Sequence, residues 1–106
     1  MTAVTLIYND RIPCGFSITG HSTVSARDVA GKTVCAAVSS AAYMAANTIL
    51  EVIKEKCAVW EEDGRMSLVF KNTPSEKSVA VMEGLFLHLT ELSKQYPDRI
   101  KIITEV

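Results

Sequence analysis

One histidine and one cysteine in the N-terminal half of the chain are of the residue types that nucleophilic catalysis uses. His21 follows Gly20 directly, and Cys35 comes after a polar segment. A cysteine attacks a carbonyl as its thiolate, and a nearby histidine can hold that thiolate as an ion pair and later protonate the leaving group. Spacing alone also fits a second interpretation, in which Cys35 is a small buried residue and His21 a turn residue.

The position of Cys35 relative to a helix determines how much help its thiol needs. An Ala-rich, apolar segment from residue 34 to about residue 54 predicts a helix with Thr33 as its N-cap. Cys35 would then lie in the first turn, where unpaired N–H groups could bind an oxyanion. A helix terminus contributes about 0.3–1 kcal/mol, which lowers a thiol pKa of about 8.5 by less than roughly one unit. A cationic partner is therefore needed, and His21 is the only histidine in this half of the chain.

The pattern of apolar residues predicts an α+β domain. Alternation predicts five strands, at residues 4–9, 14–19, 57–61, 66–70 and 100–105. The Asp-Gly pair in "EDGR" favours a hairpin between the third and fourth strands. In "TPSE", Thr73, Pro74 and Glu76 suit a capping box at the start of a second helix. The order is strand, strand, helix, strand, strand, helix, strand, so we expect two helices packed on a mixed or antiparallel sheet.

Length and composition restrict the classes of function. The 106 residues are 48% apolar and 22% charged, which suits one domain, residues 1–106, with a core of its own. The net charge is −1 and no basic run occurs, so direct nucleic-acid binding is not expected. Three cysteines without a C-x-x-C pair predict no disulfide framework. His21, Cys35 and a further cysteine have no recognised ligand spacing, so no metal site is expected. A cysteine nucleophile paired with a histidine would also need no cofactor. No signal peptide or clear membrane span is evident, so we expect a cytoplasmic protein with free thiols.

The string "GH", followed by a polar loop and then "VCAAVS" at the head of an Ala-rich helix, resembles the ribosomal-processing cysteine protease (Prp) family, also called YsxB-like. The resemblance extends over nearly the whole chain. It implies a bacterial thiol protease that removes the N-terminal extension of one large-subunit ribosomal protein, number twenty-seven, during ribosome biogenesis. In that family the histidine after glycine and the cysteine form the catalytic dyad. The resemblance thus assigns those roles to His21 and Cys35, and Gly20 and Ser39 match the motif as substrate-side residues.

The chain departs from the family pattern between the two dyad residues. Many members have an aspartate three residues before the cysteine, where this chain has Lys32. The loop, residues 22–32, is also longer, and it contains Asp28. If the family aspartate orients the histidine, Asp28 is the candidate to replace it, and we also expect Asp28 to bind the substrate. We expect this loop to close over an extended peptide. Ser39 lies one turn after Cys35 and is expected either to bond near the site or to bond back to the carbonyl of Cys35.

Two further classes of function fit the same residues. The main alternative is a non-catalytic, homodimeric binding module that docks on a ribosomal protein or an assembly factor, with Cys35 as a packing residue. The third is a thiol hydrolase or acyltransferase acting on a small substrate. In either the protease or the binding module we expect a homodimer, because the apolar surface of the first helix exceeds what one sheet face can cover.

Overall fold

A computed structural model describes every residue from Met1 to Val106 and confirms the predicted order of elements. The elements are β1 (Thr2–Asn9), β2 (Ile12–Thr19), α1 (Val29–Asn47) with a π-helical continuation (Thr48–Ile53), β3 (Cys57–Glu62), β4 (Arg65–Phe70), α2 (Glu76–Gln95) and β5 (Ile100–Glu105). The strand order in the sheet is β3-β4-β2-β1-β5. Only β1 and β5 pair in parallel. The sheet is therefore mixed, and the predicted α+β class is confirmed.

The core lies between one face of the sheet and the two helices. Strand register places Leu6 opposite Phe16 and Phe16 opposite Leu68, and all three side chains are buried. The sides of the helices that face this row carry small residues in α1 and large ones in α2; the buried set is Val34, Val38, Ala42, Ala45, Ala46, Met82, Leu85, Phe86 and Leu89. Burying each large apolar side chain contributes roughly 1.5–3 kcal/mol. This packing fixes α1 against the sheet and thereby fixes the position of Cys35.

Helix α1 begins earlier than the sequence predicts, at Val29. Its N-cap is Asp28, whose Oδ1 accepts a hydrogen bond from the Gly31 N–H at 3.0 Å. Thr33, the predicted N-cap, is inside the helix, where its hydroxyl donates to the Val29 carbonyl at 2.9 Å. The predicted start at Thr33 is therefore wrong, because a carboxylate upstream caps the helix instead.

The earlier start changes the environment of Cys35. The residue lies beyond the first turn of α1, where backbone N–H groups are paired within the helix. The predicted oxyanion site at the start of the helix, beside Cys35, is therefore wrong. Gly31 lets the first turn lie against the preceding loop, since a Cβ at this position would be 2.7 Å from the Ser22 carbonyl oxygen. The helix thus approaches the loop closely enough for Cys35 to contact it.

The start of α2 is capped by Ser75, and the capping box predicted from Thr73 is wrong. The Ser75 hydroxyl accepts a hydrogen bond from the Ser78 N–H at 3.3 Å. Glu55, which follows the π-helical continuation of α1, accepts from the Ser75 N–H at 2.8 Å and from the Ser78 hydroxyl at 2.9 Å. A carboxylate is stabilised at a helix N-terminus. Glu55 therefore joins the end of the first helical stretch to the start of the second.

The helical stretch Val29–Ile53 is long and apolar enough to cross a membrane when judged by length and composition alone, with a mean hydropathy of 1.3 in its most apolar window. Its buried side is part of the core of the domain, as expected of a core helix. Its other side leaves Met44 and Val52 exposed. The homodimer prediction depends on this exposed side and stays a prediction.

Candidate active site

A cavity of about 520 Å³ opens between α1 and the β3–β4 hairpin. Buried apolar residues form its floor, namely Ile18, Val38, Ala42 and Met66. His21 and Cys35 both line it, as do Gly20 and Ser39. The fold therefore brings together four of the five site residues that the sequence predicts. The fifth, Asp28, does not line the cavity.

The sulfur of Cys35 contacts the loop that follows β2. The Ser22 N–H donates to Sγ at 3.2 Å, and the Thr23 hydroxyl lies 3.8 Å from Sγ. Partial burial raises the pKa of the Cys35 thiol, but the hydrogen bonds from Ser22 and Thr23 together outweigh it, so the pKa lies below its ordinary value. Hydrogen bonds donated to a charged group stabilise the charged form. This loop therefore favours the thiolate without help from a helix terminus.

The other two cysteines have the opposite environment. Burial is the main cause that raises the pKa of Cys14 and of Cys57, and Glu105 and Glu55, respectively, raise these pKa values further. Both thiols are partly buried, and neither lines the cavity. Since the thiolate is the nucleophile, Cys35 is the cysteine whose surroundings suit an attack on a substrate.

His21 lies on the exposed rim of the cavity and packs against the turn between β3 and β4. A Cβ at Gly64 would lie 2.9 Å from Nε2 of His21, so the ring occupies space that only glycine leaves open. The Gly20 N–H donates to the Gly64 carbonyl at 2.9 Å and joins the two loops. The imidazole makes no hydrogen bond to Cys35, so the two residues share the cavity without being paired in this structure.

Gly20 and Ser39 differ in what holds them at the cavity. Gly20 has φ of +85°, and a Cβ there would lie 2.5 Å from the Met1 carbonyl oxygen. Its glycine identity is therefore required by the backbone. Ser39 is exposed on α1, and its hydroxyl makes no hydrogen bond to the Cys35 carbonyl, contrary to one of the two expectations. Its hydroxyl is available to a group bound in the cavity.

Asp28 does not contact His21, so the structure gives it no part in orienting the imidazole. Its carboxylate accepts from the Arg99 guanidinium, from the Gly31 N–H at 3.0 Å and from the Val24 N–H at 3.1 Å. The Arg99 guanidinium is the largest cause, followed by the Gly31 N–H, that lowers the pKa of Asp28 from 3.8 to about 2. Asp28 does not line the cavity, and a role for it in binding the substrate stays a prediction.

The loop predicted to close over a peptide is shorter than expected. Its second half, from Val29 onward, is the first turn of α1. Its first half is tied down, since Ser22 is only 1% exposed and Val24 is bonded to Asp28. Within this first half, only the residues Val24–Arg27 are exposed. This segment therefore does not form a long mobile cover over the substrate.

A hydrogen bond that the sequence did not predict links the two walls of the cavity. The Tyr43 hydroxyl of α1 donates to Oε1 of Glu61 in β3 at 2.5 Å, and this carboxylate raises the pKa of Tyr43. Sequence reasoning also missed Ser22 and Thr23 as partners of the sulfur. The only signal for these two was their place directly after His21. For Gly64, the signal was the Asp-Gly hairpin pair, which predicted the turn but not its contact with the imidazole.

A family model described as cysteine protease Prp matches residues 1–101. The chain belongs to the cysteine protease Prp family. This membership confirms the resemblance stated from the "GH" and "VCAAVS" strings, and it confirms the enzyme class, a cysteine protease. No curated protein matches the chain.

Three solved structures share the fold over almost the full chain. The first is the essential ribosomal processing protease Prp from S. aureus with a covalently linked product peptide, at 18% identity and a TM-score of 0.88, covering 99% of this chain and 100% of that one. The same S. aureus protease with a substrate peptide matches at 17% identity and a TM-score of 0.87, with the same coverage. SMU.848 from Streptococcus mutans matches at 22% identity and a TM-score of 0.86, covering 99% and 97%. These likenesses show that the fold of this Prp family member is shared from end to end.

Proposed function

We propose that this Prp family member is a cysteine endopeptidase that removes the N-terminal extension of a bacterial large-subunit ribosomal protein, number twenty-seven. The observation that carries the proposal is the sulfur of Cys35, which receives thiolate-favouring hydrogen bonds and shares an open cavity with His21. The S. aureus relative is a ribosomal processing protease that has been solved with peptides, which supports a ribosomal peptide as the substrate class.

In the proposed reaction, Cys35 and His21 form the catalytic dyad. The Cys35 thiolate attacks the scissile carbonyl carbon, and the carbonyl electron pair moves to oxygen as the C–S bond forms. The tetrahedral adduct collapses and expels the amine, which takes its proton from His21. Water then hydrolyses the thioester, releases the N-terminal product and restores the thiol. Gly20 and Ser39 line the same cavity and bind the peptide beside the reacting bond.

The test is cleavage of a peptide that spans the extension of the organism's own ribosomal protein and the first residues of the mature form. We expect mass spectrometry to show cleavage at one bond, loss of activity after pretreatment with iodoacetamide, and full activity in EDTA. A scrambled peptide of the same composition is the control and should stay intact. Binding of the peptide without cleavage would instead support the non-catalytic binding module, and turnover of small thioesters alone would support the small-substrate hydrolase.

We also propose that the enzyme acts in the cytoplasm as a homodimer that buries the exposed side of α1. Met44 and Val52 supply apolar surface there, at 64% and 75% exposure. Light scattering at micromolar concentration should give about twice the mass of one chain. A mass near 11.6 kDa would contradict the dimer under those conditions.

A further inference from the structure

The N–H, the carbonyl and the hydroxyl of Ser22 all have hydrogen-bond partners, although the residue lies in a loop. Its N–H donates to Sγ of Cys35 at 3.2 Å, and its carbonyl accepts from Nη1 of Arg99 at 2.9 Å. Its hydroxyl donates to the Arg99 carbonyl at 2.9 Å and lies 2.6 Å from the Thr2 hydroxyl. Ser22 is 1% exposed. The donor that meets the sulfur is therefore held by contacts that come from Arg99 and Thr2.

Arg99 is held in its turn by its backbone and by Asp28. Its carbonyl accepts from the Thr2 N–H at 2.9 Å, and its own N–H donates to the Tyr96 carbonyl at 2.9 Å. Its guanidinium donates from Nη1 to both the Ser22 carbonyl and the Asp28 carboxylate. The Asp28 side chain is 7% exposed and the Arg99 side chain 25%. A guanidinium presents several donors in a rigid plane, so it can hold two oxygens in a fixed arrangement.

We propose that Arg99 and Asp28 are positioning residues for Cys35, acting on its sulfur through Ser22 and Thr23. The chain of contacts is continuous, from the Asp28 carboxylate to the guanidinium, to the Ser22 carbonyl, and from the Ser22–Thr23 backbone to Sγ. The Ser22 carbonyl that binds Arg99 belongs to the same peptide group as the Thr23 N–H. This N–H is among the causes that lower the pKa of Cys35. The inference rests on the proposed role of Cys35 as the nucleophile.

The pair also closes the first turn of α1 onto the loop. Asp28 caps the helix through Gly31 and bonds the Val24 N–H, so the same carboxylate fixes the helix that carries Cys35 and the loop that contacts it. Because the pKa of Asp28 is about 2, its carboxylate stays ionised throughout the pH range in which a thiol titrates. A change in the titration of Cys35 in a variant therefore reports the lost contact and not protonation of Asp28.

The readout is the pH dependence of Cys35 alkylation by iodoacetamide, resolved by site with mass spectrometry. The ionisable groups that face the cavity from the other elements stay unchanged in every variant; they are His21, Tyr43, Glu61, Glu62, Asp63 and Arg65. Cys57 serves as the internal reference because it lies outside the cavity. A purely structural role for Arg99 would change melting temperature without moving the alkylation midpoint of one cysteine alone.

In Arg99→Gln we expect the Cys35 midpoint to rise by about half a unit to one unit, which is a threefold to tenfold slower alkylation below both midpoints. Arg99→Lys should restore part of the difference, since an ammonium keeps the charge but lacks the planar fork. Asp28→Asn, which retains a good N-cap residue, should shift the midpoint in the same direction by less. Arg27→Gln removes the same charge from an exposed neighbour that has no side-chain partner, and it should leave the midpoint unchanged.

An unshifted Cys35 midpoint in folded Arg99→Gln would overturn the proposal, as would an equal shift of Cys57, which would indicate general loosening. Should Arg99→Gln fail to fold, an unshifted midpoint in Asp28→Asn and Arg99→Lys would overturn it instead. The proposed protease function is tested separately. If the wild-type protein does not cleave the ribosomal peptide but the variants show the predicted midpoint shifts, the protease proposal is contradicted and the positioning role of Arg99 and Asp28 stands.

Discussion

Replacing Cys35 with alanine should abolish cleavage of the ribosomal peptide while leaving the domain folded. Cys35 is the only cysteine that lines the cavity. Loss of a nucleophile typically reduces turnover by at least about 10⁴-fold. Alanine is the best helix former, and the substitution leaves the Ser22 N–H without its acceptor at a cost of about 1–3 kcal/mol. Peptide turnover measured by mass spectrometry, beside a thermal melt, separates the two effects.

The matched controls are the other two cysteines. Cys57→Ala and Cys14→Ala remove a partly buried thiol from outside the cavity. They should lower the free energy of unfolding by up to a few kcal/mol and leave turnover per folded molecule intact. Undiminished cleavage by folded Cys35→Ala, or loss of cleavage in all three variants alike, would contradict Cys35 as the nucleophile.

The order of elements could be read from the sequence because alternation and helical periodicity reflect one-sided burial in this sheet. The helix start could not. Thr33 and Asp28 are both acceptable N-caps, and the segment between them has no apolar periodicity and contains a glycine, which costs about 1 kcal/mol inside a helix. What decides for Asp28 is tertiary: its bond to Arg99, and the close approach of Gly31 to the Ser22 carbonyl.

The contents of the cavity were predictable in part for a similar reason. His21, Cys35, Gly20 and Ser39 lie in two short strings that the family resemblance covers, and the fold brings all four to one cavity. Arg99 is distant in sequence from Ser22, and their contact depends on how the turn before β5 meets the start of β1. No local pattern encodes such a contact. The prediction that Cys35 lies in the first turn of the helix is wrong, and loop N–H and hydroxyl groups supply the hydrogen bonds to its sulfur instead.

Substituting His21 with alanine should lower kcat/KM for peptide cleavage by about 10²–10⁴-fold, the usual contribution of a general acid or base. His21 has no hydrogen bond to Cys35 in the structure, so its approach to the sulfur or to the leaving amine is expected once a peptide occupies the cavity. His88→Ala is the matched control, because His88 is an exposed histidine of α2 outside the cavity. Cleavage by His21→Ala at the rate of His88→Ala would contradict the dyad.

Alkylation of the free enzyme then shows which part of the role His21 plays before substrate binds. At pH around 6 to 6.5, iodoacetamide should modify Cys35 well before Cys14 and Cys57, because hydrogen bonds lower the pKa of Cys35 whereas burial raises the other two. A thiol with a pKa near 8.5 is only about one per cent thiolate in that range. If His21 also holds the thiolate as an ion pair, His21→Ala should slow Cys35 labelling there by roughly tenfold. Equal labelling of all three cysteines would contradict the selective thiolate.

The two measurements on His21→Ala together identify its role. Lost cleavage with unchanged labelling would make His21 the proton donor to the leaving amine, with Ser22 and Thr23 alone holding the thiolate.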